Sequence, residues 1–291
     1  MNGAADGTPG LFVDRYGDVA VIHADAQSVV SRWLPELRLV VGGVCETAYV
    51  KVHPPSAAHL SASDRRQLAP EEPVWGPPRD SADVVEHGVR YVVRPAAGLS
   101  VGLFLDMREV RDWLRSACEG RSVLNLFAYT CSLGVCAALG GGSRVVNLDV
   151  SRPSLEWGKA NYALNGLRVD NQDFIYGDAF DWLNRFARRS LMFDVVIVDP
   201  PSFSSTPFAV TRDYARLVAA AARVVTPGGC LLAATNHAQT SAARFEDWIR
   251  EGLSRAGRRG RVVAGWHEPS EDFPLADGGR PYLKVRAVEL G

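Results

Sequence analysis

The chain has 291 residues, 47% hydrophobic, 22% charged and 9% aromatic, which excludes wholesale disorder and a disulfide-stapled mini-fold and provides for one large domain with a smaller appendage. No apolar run approaches ~18 residues and MNGAADGTPG has no export-signal texture, so no membrane partner and a cytoplasmic setting are expected. The 32 basic against 33 acidic residues, a net charge of -1, argue against non-specific coating of nucleic acid but permit a local basic groove.

Residues 11–23 read as two short strands around Tyr16-Gly17-Asp18, followed by a hydrophobic helix-or-strand region to about Val50. The stretch 54–83 carries Pro54, Pro55, Pro70, Pro73, Pro77 and Pro78 and reads as an irregular surface segment. His87-Gly88 lies between two β-rich runs and predicts a two-residue hairpin, with glycine supplying the positive φ. Residues 1–95 are therefore expected to form a small α+β domain, and residues 96–291 a second domain.

From about residue 96 strands alternate with helical segments, the pattern of a parallel α/β sheet covered on both faces. Strands are predicted at Val123–Leu126, Val145–Asp149, Phe174–Tyr176, Val195–Asp199, Leu231–Thr235, Arg261–Gly265 and Tyr282–Val288. Helices are predicted at Glu109–Ala117, Gly134–Leu139, Pro153–Asn165, Trp182–Arg188, Arg212–Ala222 and Ala242–Ala256. Ser151 precedes Pro153 as a cap candidate, and Gly166 ends the helix after Asn165.

In such a sheet ligands gather outside the carboxyl ends of the strands. Asp149 ends the second strand 24 residues after Asn125, close to the ~20 expected of an acidic side chain that accepts ribose hydroxyls. The first turn, Asn125 through Phe127, Tyr129 and Thr130 to Gly134, lacks G-x-G-x-x-G, which weakens a pyrophosphate reading. A cofactor with adenosine but no phosphate fits better. S-adenosylmethionine is such a molecule, with ribose for Asp149, the adenine amine for Asp178 beside Ala179 and Phe180, and the methionine moiety for polar groups near the first turn. Asp199-Pro200-Pro201-Ser202-Phe203 follows the fourth strand. Its prolines fix carbonyls and a carboxylate as acceptors for an amine, and Phe203 can stack on a planar base, a clamp suited to methyl transfer.

The segments SVGLFLDMREVR (100–111), NLFAYT (125–130), Asp149-Val150-Ser151, NYALNGL (161–167), DPPSF (199–203), RDYARL (212–217) and TPGG (226–229) together resemble the bacterial class I methyltransferases of large-subunit (23S) rRNA. That group holds cytosine carbon-5 and guanine N7 enzymes. The resemblance implies a Rossmann-like seven-stranded sheet preceded by a small α+β domain that helps to hold RNA. It further implies that Phe104, Asp106 and Arg108 flank the cofactor, and that Asn125, Phe127, Tyr129, Asp149, Asp178 and Asp199 line its pocket.

Against the group's pattern the sequence reads from its GLFVDRYGD segment, and the expectation is of a protein without the further RNA-binding module of many relatives. The carbon-5 branch also places a cysteine just after the fifth strand, because that chemistry needs a thiolate. Here the position reads Thr235-Asn236-His237, and Cys230 lies roughly 16 Å of strand rise away. A ring nitrogen needs no covalent catalyst, so N-methylation such as guanine N7 is expected over carbon-5. His237 is assigned a positioning role, and Arg108, Arg111 and Arg212 are candidates for RNA phosphate. The five cysteines are scattered, with no zinc pattern, and no metal is assigned. A homodimer is allowed for. Competing readings are a methyltransferase of a small molecule or protein, and an adenosine-ligand or RNA-binding protein that has lost transfer activity.

Overall fold

In the computed structural model, which describes residues 1–54, 62–201 and 208–291, the alternation of apolar runs resolves into two units. Met1–Leu105 with Pro269–Arg280 form one, and Asp106–Glu268 with Pro281–Gly291 the other. The division falls at 105/106 rather than 95/96. The return of 269–280 to the first unit, where the Asn2 amide donates to the Pro274 carbonyl at 2.9 Å, is a pairing across the whole chain that composition cannot express.

In the first unit, β1 (Leu11–Tyr16) and β2 (Val19–Ala24) pair antiparallel, and β3 (Thr47–Val52) joins β2 in parallel. The connection is α1 (Gln27–Val40), whose Val30 and Leu37 pack with Ile22, Val50 and Val52 into one core. A short helix α2 (Ala62–Leu68) interrupts the proline-rich stretch expected to be irregular. β4 (Ala82–Glu86) and β5 (Val89–Val93) form the hairpin over His87-Gly88. Both turn residues, not the glycine alone, are left-handed (φ 48° and 80°), the backbone of a type I′ turn whose twist matches the strands.

The second unit holds a seven-stranded sheet in the order β11-β12-β10-β9-β6-β7-β8. The strands are β6 (Ser122–Leu126), β7 (Arg144–Asp149), β8 (Phe174–Tyr176), β9 (Phe193–Val198), β10 (Val225–Thr235), β11 (Gly260–Trp266) and β12 (Lys284–Leu290). β6 to β10 are mutually parallel, and their apolar runs are buried on both faces, as in Val195 to Val198. The sheet is mixed rather than wholly parallel, because β12 runs antiparallel to both β10 and β11. The helices are α3 (Arg108–Ala117), α4 (Ser132–Leu139), α5 (Arg152–Leu164), α6 (Ala179–Arg188), α7 (Val210–Ala222) and α8 (Ala242–Arg255). Residues of α6, α7 and α8 build a core on Leu124, Leu148, Val196 and Leu231, while α3, α4 and α5 pack in sequence with one another. Chain order reverses between β6 and β9, so a topological switch point lies there, with Leu126 and Val198 in register. No helix among the described residues is long and apolar enough to cross a membrane.

Candidate active site

The turn after β6 departs most from ordinary backbone. Phe127, Tyr129 and Cys131 are left-handed, with φ of 57°, 48° and 61°, at about 1–2 kcal/mol each for residues with a side chain. Neighbours hold them there. Ala128 donates to the Leu148 carbonyl at 3.0 Å, Cys131 to the Ala128 carbonyl at 2.7 Å, and Asn161 on α5 caps the Thr130 carbonyl at 2.9 Å. Gly158 on α5 allows this approach, since a Cβ there would lie 2.3 Å from the Cys131 sulfur. Three of the turn's N–H groups, those of Ala128, Tyr129 and Cys131, are engaged within the protein, by the Leu148 carbonyl, Asp149 Oδ2 and the Ala128 carbonyl. The turn thus adopts, without G-x-G-x-x-G, left-handed backbone that glycines provide elsewhere.

Asn125 stands behind this turn rather than in it. It is buried and donates to Asn147 Oδ1 at 2.9 Å, and Asn147 donates to the Tyr162 hydroxyl at 2.9 Å. The side chain braces β6 against β7. Thr130 is likewise buried and offers its backbone.

Asp149 ends β7 half-buried, with Oδ2 accepting the Tyr129 N–H and Oδ1 the Ser151 N–H, each at 2.8 Å. Burial pushes its carboxyl above the usual range, while the backbone N–H groups of Tyr129, Ser151 and Val150 hold it down. The carboxylate oxygens keep acceptor capacity beyond these bonds. The Ser151 hydroxyl caps α5 by accepting from the Ser154 N–H at 3.3 Å. Asp178 caps α6, accepting from the Asp181 N–H at 3.1 Å, and Ala179 is buried behind it. Phe180 and Phe127 both approach Phe208, with ring centroids 6.5 and 6.0 Å apart, giving the crevice an aromatic wall. Phe208 and the exposed Val150 escaped the sequence reading, because neither lies in a polar pattern.

Across the switch point, Asp199 follows β9 with Pro200 buried and Pro201 exposed. Burial, reinforced by the Asp106 carboxyl, pushes Asp199 up to about 7. Asp106 is buried in the short turn Leu105–Met107, and Arg108 opens α3. Tyr214 on α7 donates its hydroxyl to the Ala234 carbonyl of β10 at 2.8 Å, beneath Asp199. Phe203 lies outside the described residues. Phe104 belongs to the other unit, where it is exposed. His237 follows β10 with Nδ1 2.8 Å from Thr240 Oγ1, and its carbonyl accepts from the Lys284 ammonium at 2.8 Å. Burial and the Lys284 charge both lower the imidazole pKa. Sequence reading missed Lys284, opposite Thr235 on β12; the signal was its rarity among 29 arginines. Arg111 is 1% exposed, so it is not presented to phosphate, and Arg212 forms an ion pair with Asp213 at 2.7 Å.

A family of S-adenosylmethionine-dependent methyltransferases matches residues 55–280. The chain belongs to this family. It is similar to a ribosomal RNA large subunit methyltransferase of Deinococcus radiodurans, 32% identical over 302 residues, covering 100% of this chain and 71% of that one. A solved S-adenosylmethionine-dependent methyltransferase structure from Streptococcus mutans superposes with a TM-score of 0.87 at 28% identity, covering 99% of this chain and 73% of that one. Another solved methyltransferase structure, complexed with S-adenosylhomocysteine, gives a TM-score of 0.87 at 27% identity, covering 99% and 74%. The fold of this methyltransferase is the Rossmann-like class I sheet, and its cofactor is S-adenosylmethionine.

The residues present fit that cofactor. The anchored Asp149 suits a diol, and apolar Val150, Phe127 and Phe180 suit an adenine. Among the described residues no group of three or more His, Cys, Asp and Glu could hold a metal ion.

Proposed function

We propose that this methyltransferase acts on a nucleobase of large-subunit ribosomal RNA, at a ring nitrogen such as guanine N7 rather than at cytosine carbon-5. The Deinococcus radiodurans relative, named for large-subunit ribosomal RNA, supports the substrate. The placement of the cysteines carries the choice of atom: all five are buried, none presented at the crevice surface as a thiolate would need to be. Carbon-5 chemistry needs a thiolate to add to the ring. Burial pushes the Cys230 thiol up to about 11, Cys118 up to about 12, and Cys131 well above the ordinary thiol range. Attack by a ring nitrogen lone pair needs only orientation and desolvation.

When bound, S-adenosylmethionine supplies an electrophilic methyl group on a sulfonium. In this reading polar groups near the first turn receive the methionine moiety, Asp149 the ribose, and Asp178 with Ala179 and Phe180 the adenine. Asp199, Pro200 and Pro201 offer acceptors to the amino edge of the base, with Phe203 as its stacking neighbour and Asp106 and Arg108 beside them. His237, fixed by Lys284 and Thr240, positions the base. The unit Met1–Leu105 with Pro269–Arg280 is assigned to holding RNA, Phe104 included. A cytoplasmic location follows from that substrate. Every residue in this reading comes from one chain, and a homodimer is not part of it.

Nucleoside analysis of large-subunit rRNA labelled in vitro tests the choice. Label in 7-methylguanosine is expected, and label in 5-methylcytidine overturns the ring-nitrogen reading.

A further inference from the structure

Several exposed arginines of the second unit are answered by carboxylates. Arg144 pairs with Asp173, Arg250 with Asp247, Arg255 with Glu251 and Arg261 with Glu289. Around the end of β8 the arrangement differs. The Arg152 guanidinium lies 4.5 Å from the Tyr176 ring centroid, Arg185 4.9 Å from Trp182, and Arg216 4.2 Å from Phe180. All three arginines are exposed and, among the described residues, none forms an ion pair. Arg216 lies close enough to Asp213 to lower its pKa, but that carboxylate is already held by Arg212.

The three rings are neighbours in the chain. Tyr176 ends β8, Phe180 and Trp182 lie in the first turn of α6, and the Trp182 indole rests against Gly177, where a Cβ would meet its Nε1 at 2.4 Å. In register, Tyr176 stands opposite Asp149 on β7, so this rim borders the cofactor side of the crevice. Tyr176 is 52% exposed.

A guanidinium stacked on a ring spends its π face there and keeps its N–H edge directed outward, which is the geometry that takes phosphate or base-edge oxygens. An exposed tyrosine among such arginines offers a plane to an unstacked base. We infer that Arg152, Arg185 and Arg216, with Tyr176 and Trp182, form a stacking and phosphate-contact rim that grips single-stranded RNA beside the target nucleotide, Phe180 serving there only as the ring that carries Arg216. The inference rests on the RNA-substrate reading and adds where on the second unit the strand is held.

The test uses the full chain saturated with S-adenosylhomocysteine. Binding of a fluorescently labelled, unpaired RNA of mixed sequence is followed by anisotropy across a salt series, beside the same strand annealed to its complement. For the triple variant Arg152→Gln, Arg185→Gln, Arg216→Gln, affinity for the single strand is expected to fall at least about tenfold. The slope of log K against log salt should shrink by about 2, three contacts at roughly 0.7 each. Tyr176→Ala alone should lower single-strand affinity by about tenfold and leave the slope nearly unchanged. S-adenosylhomocysteine affinity within about twofold of the parent establishes that the variants are folded. Single-strand affinity and slope retained by the triple variant overturn the rim alone. A parent protein that binds neither RNA overturns the substrate reading, and the rim falls with it.

Discussion

Asp149 and Asp199 end neighbouring parts of one sheet, yet their surroundings give them different work. Asp149 is oriented by two backbone N–H groups before any ligand arrives. Asp149→Ala should raise the S-adenosylhomocysteine dissociation constant about 10- to 100-fold, the worth of hydrogen bonds to a charged acceptor, and calorimetry giving an unchanged constant would refute its ribose role. Asp199 is raised by burial and by Asp106. A carboxyl whose folded pKa exceeds its unfolded value binds more protons when folded, so it costs stability as pH rises. From 3.8 to about 7, that cost is at most about 4 kcal/mol, less whatever solvent at the crevice relaxes. Urea denaturation of Asp199→Asn should therefore show a gain over the parent that grows from about pH 4 and levels off above about pH 7; a gain independent of pH contradicts the titration. Both aspartates were legible in the sequence because each closes a β-branched run. Asn147, Tyr162 and Lys284 were not, since their contacts depend on which strands become neighbours.

At the scale of elements, the first turn is a strained segment kept in place by α5. Gly158→Ala drives a Cβ into the Cys131 sulfur and should cost about 1–3 kcal/mol, with a parallel loss of S-adenosylhomocysteine affinity because the turn moves. Stability lost with affinity intact would separate the helix from the site. Tyr214→Phe removes the bond from α7 to the Ala234 carbonyl and should cost about 1–2 kcal/mol in thermal or chemical unfolding. The helices of the second unit were readable from caps and period, as Ser151 and Gly166 illustrate. The left-handed Phe127, Tyr129 and Cys131 were not, because their side chains favour ordinary backbone and only tertiary packing holds them.

For the molecule as a whole, strand alternation announced seven strands but not their directions. β11 and β12 carry the same apolar texture as their parallel neighbours, and only the connection through 269–280 reverses β12. A net charge of -1 argues against non-specific coating of nucleic acid, yet a phosphate-free cofactor needs no cationic pocket, and charge confined to one rim is invisible in a total. Methyl transfer to large-subunit ribosomal RNA is measured by incubating the chain and labelled S-adenosylmethionine with ribosomal RNA from a strain lacking this protein and from its parent. About one methyl per large-subunit RNA from the lacking strain, and almost none from the parent, is the expected result. Equal labelling of both, or label found only in protein or small molecules, contradicts it.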